Sequence, residues 1–246
     1  MTAPAHRTGH VERRPFDGLG RFATDWLEAR YHFSFADYVD PARMGFGALR
    51  VWNDDRIAPG TGFPPHPHRE MEIVTFVRRG AITHEDSLGN RGRTAAGDVQ
   101  VMSAGTGIRH AEFNLEDAPT EVFQIWIQPA EARLTPRWET RHFPRSARAG
   151  RLVPLASGRA GMAAEGEGAP LHIHQDATLF AAALRAGEAV RHRLDPGRRA
   201  YLVPVEGRVT VCGTDIEARD GAAVTDTETI EIAARQDCDL LLFDLA

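Results

Sequence analysis

Apolar and polar positions alternate along most of the chain with a repeat of two residues. Glu121–Gln128 reads EVFQIWIQ, and Glu72–Val77 combines the alternation with β-branched side chains. Because successive side chains of a strand point to opposite faces of a sheet, this pattern is typical of strands with one buried face. Turn residues such as Gly80 and Gly97 separate the segments at short intervals. Short strands with regular turns predict an all-β protein of the jelly-roll β-barrel type.

The alternation stops over residues 131–168, which hold several prolines, many arginines and a run rich in glycine and alanine. Such a composition is typical of a connection. Strand patterns resume after Pro170. We therefore predict an N-terminal domain over residues 1–130, a crossing segment over 131–168 and a C-terminal domain over 169–246. Met1–Leu19 is polar and irregular, which predicts a loosely held arm.

The composition is that of an ordinary folded protein, with 42% hydrophobic and 26% charged residues among 246, as a packed core requires. The formal net charge of -5 argues against direct binding to nucleic acid, because such domains are usually basic. We expect no membrane span and no secretory signal, because the sequence has neither a long apolar run nor an apolar segment near its N-terminus. With Cys212 and Cys238 as the only cysteines, we expect a protein of the reducing cytoplasm.

Candidate chemistry begins in Gly60–Gly80, GTGFPPHPHREMEIVTFVRRG. His66 and His68 are two residues apart, so a strand would present both imidazoles on one face. The interspersed prolines favour extended backbone, because they lack an N–H donor and restrict the residue before them. Two imidazoles with a carboxylate suit iron, nickel, copper or zinc. A surface run of histidine and proline without metal would have the same sequence.

A second stretch, Gly97–Asn114, supplies matching groups. After a glycine-rich loop, His110, Glu112 and Asn114 follow at a spacing of two, again on one face of a strand. If this strand faces the first one inside a barrel, three imidazoles and one carboxylate converge. Such a set leaves positions open for a substrate and O2 on a non-haem iron.

These stretches resemble the two cupin motifs and, in detail, the pirin family. The positions that match the cupin motifs are Gly60, His66, His68, Glu72, Gly80, Gly97, Gly105, His110 and Asn114. The second stretch has Ser103 where many cupins have proline, a longer loop before His110 and a glutamate two residues after it, as pirins do. The resemblance continues through His32–Asp40, Gly45–Asp55, His84–Asn90 and Ile173–Ala182. It covers most of the chain and is close to the bacterial pirins known as quercetin 2,3-dioxygenases.

The resemblance implies one divalent metal held by His66, His68, His110 and Glu112. We expect iron(II), although nickel, copper, cobalt, manganese and zinc accept similar ligands. The general cupin pattern nominates Glu72 instead of Glu112 as the fourth ligand. Strand parity leaves both open, since Glu72 would share a face with His68 and Glu112 with His110.

The pirin pattern favours Glu112 and leaves Glu72 as a residue behind the ligands or a structural carboxylate. Asn114 and His84 are further candidates near the ligands or the pocket. His84 belongs to the matched stretch HEDSLGN. It could equally be a hydrogen-bonded histidine of a strand or loop.

The predicted C-terminal domain repeats the first one faintly. Aligning Gly207 with Gly80 sets Arg193 opposite His66, so we predict two tandem cupin domains with a metal site in the N-terminal one only. His172 and His174 have ligand spacing, but no second cluster completes them in this half. We interpret them as ordinary strand histidines.

For function, the resemblance implies a metal-dependent dioxygenase that opens the heterocycle of a flavonol with O2 and releases carbon monoxide. The flavonol's 3-hydroxyl and 4-carbonyl could occupy the open positions of the metal, and Glu112 could accept the hydroxyl proton as general base. The alternative is a non-enzymatic regulatory protein that senses the redox state of iron and binds a transcription factor or a metabolic enzyme. Four well-placed ligands argue against a structural cupin with an adventitious metal.

Overall fold

The structure, a computed structural model, describes residues 9–162 and 168–246. Within these ranges the chain forms strands and short 3-10 helices but no α-helix. The strands up to residue 142 are β1 (His10–Arg14), β2 (Gly20–Ala23), β3 (Leu27–Tyr31), β4 (Leu49–Ile57), β5 (Gly62–His68), β6 (Glu72–Arg79), β7 (Ala81–Asp86), β8 (Arg91–Ala95), β9 (Asp98–Ser103), β10 (Ile108–Phe113), β11 (Thr120–Ile127) and β12 (Arg137–His142).

The remaining strands are β13 (Val153–Ser157), β14 (Leu171–His172), β15 (Ala177–Leu184), β16 (Ala189–Arg193), β17 (Arg199–Glu206), β18 (Val209–Val211), β19 (Thr214–Ile216), β20 (Gly221–Thr225), β21 (Thr229–Ala234) and β22 (Cys238–Leu245). The 3-10 helices are Phe16–Gly18, Pro41–Arg43 and Arg145–Arg148. No helix of the described chain is long and apolar enough to cross a membrane.

The strands form two jelly rolls, each made of a seven-stranded and a four-stranded sheet. The first jelly roll has the strand orders β12-β9-β6-β11-β4-β3-β2 and β5-β10-β7-β8. The second has the orders β1-β20-β17-β22-β15-β13-β14 and β16-β21-β18-β19. The predicted all-β fold of two tandem cupin-type domains is therefore confirmed.

The two seven-stranded sheets pack face to face. One buried cluster joins Trp52 and Phe123 of the first jelly roll to Tyr201 and Phe243 of the second. Because β15 and β22 are covered on both faces, all of their residues are buried. Their sequences, ATLFAAAL and CDLLLFDL, accordingly lack a polar exposed face.

The interiors of the two jelly rolls differ in chemistry. The second is filled by aliphatic side chains such as Leu202, Ile230 and Ile232. The first encloses buried polar residues, which include Thr75, His84, Gln100, His110 and Glu112. The groups of histidine and glutamate that could hold a metal, among the described residues, lie in the first jelly roll.

The prediction of a loosely held arm over Met1–Leu19 is wrong for the part that the structure describes. β1 pairs along its whole length with β20 of the second jelly roll, and Arg13 Nε donates to Asp220 Oδ2 at 2.7 Å. Residues 1–8 of the predicted arm lie outside the described residues. The predicted crossing segment over 131–168 contributes β12 to the first jelly roll and β13 to the second, and the predicted domain boundaries remain predictions.

Candidate metal centre

The strands β5 and β10 bring the predicted histidines together. His110 of β10 lies directly opposite His66 of β5, and Ile108 lies opposite His68. β5 is the edge strand of its sheet, where its three prolines are tolerated because no further strand needs their missing N–H groups. β10 lies between β5 and β7, so His110 is buried while His66 and His68 are partly exposed.

Three imidazoles converge at this point. The ring centroids are 4.5 Å apart for His66 and His110, 4.8 Å for His66 and His68, and 4.9 Å for His68 and His110. One ring nitrogen from each lies within 4.8 Å of the other two. The Nε2 atoms of His66 and His110 approach to 3.1 Å.

The hydrogen bonds of these rings leave nitrogen lone pairs turned toward each other. His66 Nδ1 lies 2.8 Å from the Pro64 carbonyl, which only accepts, so the proton is on Nδ1 and Nε2 is bare. The Nε2 of His68 is buried and has no hydrogen-bond partner among the described residues. A buried polar nitrogen without a partner is unfavourable, and a bound cation would satisfy it.

The rings of His68 and His110 are held neutral. Burial, and then the nearby His110 and His66, lower the pKa of His68 to about 4. Burial, followed by His66 and His84, lowers the pKa of His110 to about 3. A neutral imidazole has a lone pair available for coordination at physiological pH. The donor set therefore fits a transition metal that prefers nitrogen ligands.

Glu112 lies on the same strand as His110, opposite His84 of β7. Its Oε1 accepts a hydrogen bond of 2.5 Å from Gln100 Nε2, and its Oε2 accepts one of 2.8 Å from Gln124 Nε2. Oxygen and nitrogen atoms of Glu112, His84 and His110 form a second group within 4.8 Å. The structure thus groups Glu112 with His110 and His84, while the group of His66, His68 and His110 does not include it.

Glu72 lies elsewhere, and the expectation that it shares a face with His68 is wrong. Its Oε2 accepts from Ser103 Oγ at 2.8 Å and from the His174 N–H at 3.2 Å. Glu72 belongs to neither group of clustered ligand atoms. The chain leaves the strand conformation between His68 and Glu72, with a positive φ of 49° at Glu70, so strand parity does not carry across.

The two remaining candidates differ in their relation to the site. His84 is buried, stacks on Trp138 with an angle of 8° between the ring planes, and lies 3.3 Å from His110 between the Nδ1 atoms. Asn114 donates to the Ile57 and Ala118 carbonyls. His84 therefore belongs to the site, while Asn114 fastens the loop after β10.

Several residues of the site were missed by the sequence analysis. Asp86 accepts from His84 Nε2 at 3.0 Å. The Trp138 indole N–H donates to Gln100 Oε1, and the Trp126 indole N–H donates to Gln124 Oε1. The glutamines could have been found from the pattern, because each is a lone polar residue at an inward position of an apolar strand.

Asp55 is a further missed residue and is buried in the first jelly roll. Burial, followed by the charges of Asp54 and Glu112, raises the pKa of Asp55 well above its ordinary value. Glu112 therefore has a second carboxyl group in its electrostatic surroundings.

The histidines of the second jelly roll form no comparable cluster among the described residues. His172 and His174 contact each other edge to face at 4.6 Å. His192 Nε2 lies 2.8 Å from Asp244 Oδ2, a partly buried pair of side chains.

Two jelly rolls in tandem, with imidazoles gathered in the first, define the bicupin class. Comparison with known proteins refines this class. A family model described as pirin matches residues 12–127, and one described as the quercetinase C-terminal cupin domain matches residues 162–245. The chain belongs to the pirin family, as the motifs predicted.

Individual relatives resemble nearly the whole chain. A pirin-like protein of Caulobacter vibrioides is 53% identical over 96% of this chain and 100% of its own length. The quercetin 2,3-dioxygenase of Escherichia coli K12 is 43% identical over 89% of this chain and 92% of its own length. The crystal structure of the bacterial pirin YhhW of Escherichia coli in complex with nickel(II) has a TM-score of 0.88 at 40% identity, covering 96% of this chain and 99% of that one.

Proposed function

We propose that the protein is a metal-dependent dioxygenase that cleaves a flavonol-like aromatic substrate with O2 and releases carbon monoxide. The observation that carries the proposal is the convergence of three imidazoles, each with one ring nitrogen within 4.8 Å of those of the other two. The similarity to a quercetin 2,3-dioxygenase supports the choice of reaction.

In this proposal His66, His68, His110 and Glu112 hold one divalent metal, which we take to be iron(II). When bound, the metal lowers the pKa of a coordinated hydroxyl and provides open positions for substrate and O2. Nickel remains a candidate, since a structurally similar pirin binds nickel(II).

Glu112 is the proposed general base. Its two oxygens each accept a hydrogen bond from one glutamine amide N–H group. A carboxylate at this position can accept the proton of a flavonol 3-hydroxyl and return it to the product. The glutamine donors keep the carboxylate oriented while the proton is transferred.

Aromatic side chains beside the histidines suit a flat substrate. The Trp126 ring meets His68 edge to face at 4.9 Å between ring centroids. The Phe63 ring lies 6.3 Å from His66 and contacts Trp26 at 5.2 Å. Partly buried rings of this kind bind aromatic ligands through stacking and edge contacts.

The test is metal content and carbon monoxide release on protein purified without a histidine tag. We expect about one equivalent of iron after anaerobic loading, and carbon monoxide when quercetin and O2 are added. His66→Ala and His110→Ala should lose the metal and the activity while circular dichroism and the unfolding transition persist, because the ligands contribute little to the apolar core. His142→Ala is the matched control, since His142 is an exposed histidine paired with Asp98.

Two outcomes would contradict the proposal. Metal binding without carbon monoxide would favour the regulatory alternative, in which the loaded protein binds a transcription factor or a metabolic enzyme. Unfolding of both variants would assign the histidines a structural role.

A further inference from the structure

A row of buried hydrogen-bonding groups lies behind the histidine cluster. Asp86 Oδ2 is 3.0 Å from His84 Nε2, and His84 Nδ1 is 3.3 Å from His110 Nδ1. His110 in turn has its Nε2 3.1 Å from His66 Nε2. The side chains of Asp86 and His84 are inaccessible to solvent, so their protons are fixed by each other and not by water.

The Asp86 carboxylate oxygens determine which atom carries the proton in each hydrogen bond of this row. Asp86 Oδ1 accepts from the backbone N–H groups of Leu88 at 2.9 Å and Asn90 at 3.1 Å. Its Oδ2 accepts from the Asn90 side-chain amide at 2.9 Å as well as from His84. Burial raises the pKa of Asp86, but the hydrogen bonds from His84 and Asn90 lower it by more, so the pKa of Asp86 lies below its ordinary value. With the Leu88 and Asn90 N–H groups and the Asn90 amide all donating to it, Asp86 is the acceptor at this end of the row.

An acceptor at Asp86 determines the proton positions of both rings. The His84 proton that Asp86 accepts lies on Nε2, which leaves His84 Nδ1 as the acceptor toward His110. That acceptor requires the proton of His110 on Nδ1. Its Nε2 is then bare, and it points toward the bare Nε2 of His66, where a cation would lie.

We propose that Asp86 and His84 are positioning residues that fix His110 in its metal-binding tautomer. The proposal rests on the proposed function only in taking His110 as a ligand. Carboxylates and carbonyls that hold ligating histidines in this way strengthen metal binding. Here a second histidine transmits the effect of the carboxylate over two hydrogen bonds.

The sharpest variant is Asp86→Asn. The two backbone donors of Leu88 and Asn90 would keep the amide oxygen on their side, which turns the amide nitrogen toward His84. That nitrogen donates, so His84 must carry its proton on Nδ1 and oppose the Nδ1 proton of His110. His110 is thereby driven to the tautomer whose Nε2 is protonated and cannot bind metal.

Asp86→Ala separates this role from a structural one. Alanine removes the acceptor without imposing the opposite proton arrangement, and it leaves two backbone N–H groups without their partner. A structural role predicts that Asp86→Ala is the more harmful change for both stability and metal binding. The positioning role predicts that Asp86→Ala is less stable but that Asp86→Asn binds metal more weakly.

The measurement is zinc affinity by chelator competition, with nuclear magnetic resonance of the 15N-labelled histidines in the zinc-loaded protein. We expect wild type to show the His110 proton on Nδ1, and Asp86→Asn to bind zinc at least about tenfold more weakly. Asp98→Asn is the matched control, because Asp98 pairs with the exposed His142 at 2.6 Å, and it should bind zinc as wild type does.

Equal zinc affinity of wild type and Asp86→Asn, or a His110 proton on Nε2 of the loaded wild type, would overturn the positioning role alone. Wild-type protein that takes up no zinc and no iron would overturn the proposed function, and the positioning role with it.

Discussion

At the scale of single residues, the Glu112 carboxylate is held by donors that cannot easily turn. Gln100 and Gln124 each donate to one of its oxygens. Their own amide oxygens accept from the indole N–H groups of Trp138 and Trp126, at 3.3 and 3.2 Å. Reversing either amide would break an indole hydrogen bond, so both glutamines continue to donate toward Glu112.

Exchanging the two competing glutamates for glutamine tests which one is the fourth ligand. In Glu112→Gln the new amide nitrogen opposes an amide donor, and we expect a loss of about 1–3 kcal/mol of unfolding free energy and at least about tenfold weaker metal binding. Glu72→Gln should keep the metal, because Glu72 contacts Ser103 and His174 instead. Metal content by mass spectrometry and urea denaturation check both. Metal lost from Glu72→Gln and retained by Glu112→Gln would reverse the assignment.

His32 is a second residue with a strong local effect, at the contact between the jelly rolls. It is fully buried, its Nδ1 lies 2.9 Å from the Tyr201 hydroxyl, and its Nε2 has no partner among the described residues. Burial, and then the charges of Arg14, Arg43 and Arg219, lower the pKa of His32 from 6.5 to about 3. The folded protein therefore keeps this histidine neutral when the unfolded chain would already be protonated.

This difference predicts that acid destabilises the protein. Between pH 6.5 and 3 the unfolded state binds one more proton at residue 32 than the folded state does. As the pH is lowered through this range, the unfolding free energy therefore falls by at most about 1.4 kcal/mol per pH unit. Above pH 6.5 the contribution is constant. His32→Gln keeps a side chain that can bond to Tyr201 but does not titrate, and its unfolding free energy should depend less on pH. Urea denaturation from pH 7 to 4 measures the difference, with the exposed His142→Gln as control. Parallel pH curves for wild type and His32→Gln would refute the assignment.

The spacing of His66 and His68 predicted one face of one strand for both, and the condition that the strand of His110 faces theirs is met in the structure. The shared face predicted for Glu72 and His68 is wrong because it assumed one continuous strand from His68 to Glu72. The positive φ of Glu70 interrupts that strand. A left-handed residue other than glycine is rarely visible in a sequence. Asp86 was missed although its partner His84 lies two residues earlier on the same strand, because its relation to the site passes through His110 of β10.

At the scale of elements, the alternating segments were predicted close to their observed bounds. The predicted strand Glu121–Gln128 corresponds to β11, and Glu72–Val77 corresponds to most of β6. In these strands the same side chains pack against a core on one or both faces, so the pattern follows from burial.

Strands whose sequences carry little apolar alternation were not predicted. β1 reads HVERR and β12 reads RWETRH. β1 lies at the edge of its sheet and pairs with β20, about two hundred residues later in the chain. The backbone hydrogen bonds of such a strand come from a partner that no local pattern reveals. The sequence of the first nineteen residues alone therefore could not predict that β1 joins the second jelly roll.

At the scale of the whole molecule, the two jelly rolls share one buried core and several polar contacts. Phe33 and Trp52 of the first pack with Tyr201 of the second. The buried Asp54 of the first accepts from Arg219 Nε of the second at 2.5 Å. A shared core of this kind couples the stability of its two sides, so we expect the protein to unfold as one cooperative unit.

The distribution of tryptophan makes this coupling measurable. All four tryptophans, Trp26, Trp52, Trp126 and Trp138, lie in the first jelly roll. Leu202→Ala removes a fully buried side chain from the separate core of the second, at a cost of about 2–5 kcal/mol. In a cooperative protein the tryptophan fluorescence transition should shift to lower urea by the same amount as the circular dichroism transition, although no tryptophan lies in the altered core.

Leu115→Ala provides the matched control, because Leu115 is 57% exposed and its truncation should move neither transition by more than about 0.5 kcal/mol. If Leu202→Ala shifted part of the circular dichroism signal and left the fluorescence midpoint unchanged, the second jelly roll would unfold alone. The metal site would then remain folded when the second jelly roll unfolds, and the shared core would only join two domains that unfold independently. A common midpoint instead means that the histidine cluster depends on residues throughout the chain, because the sheet that backs β5 and β10 is itself backed by the second jelly roll.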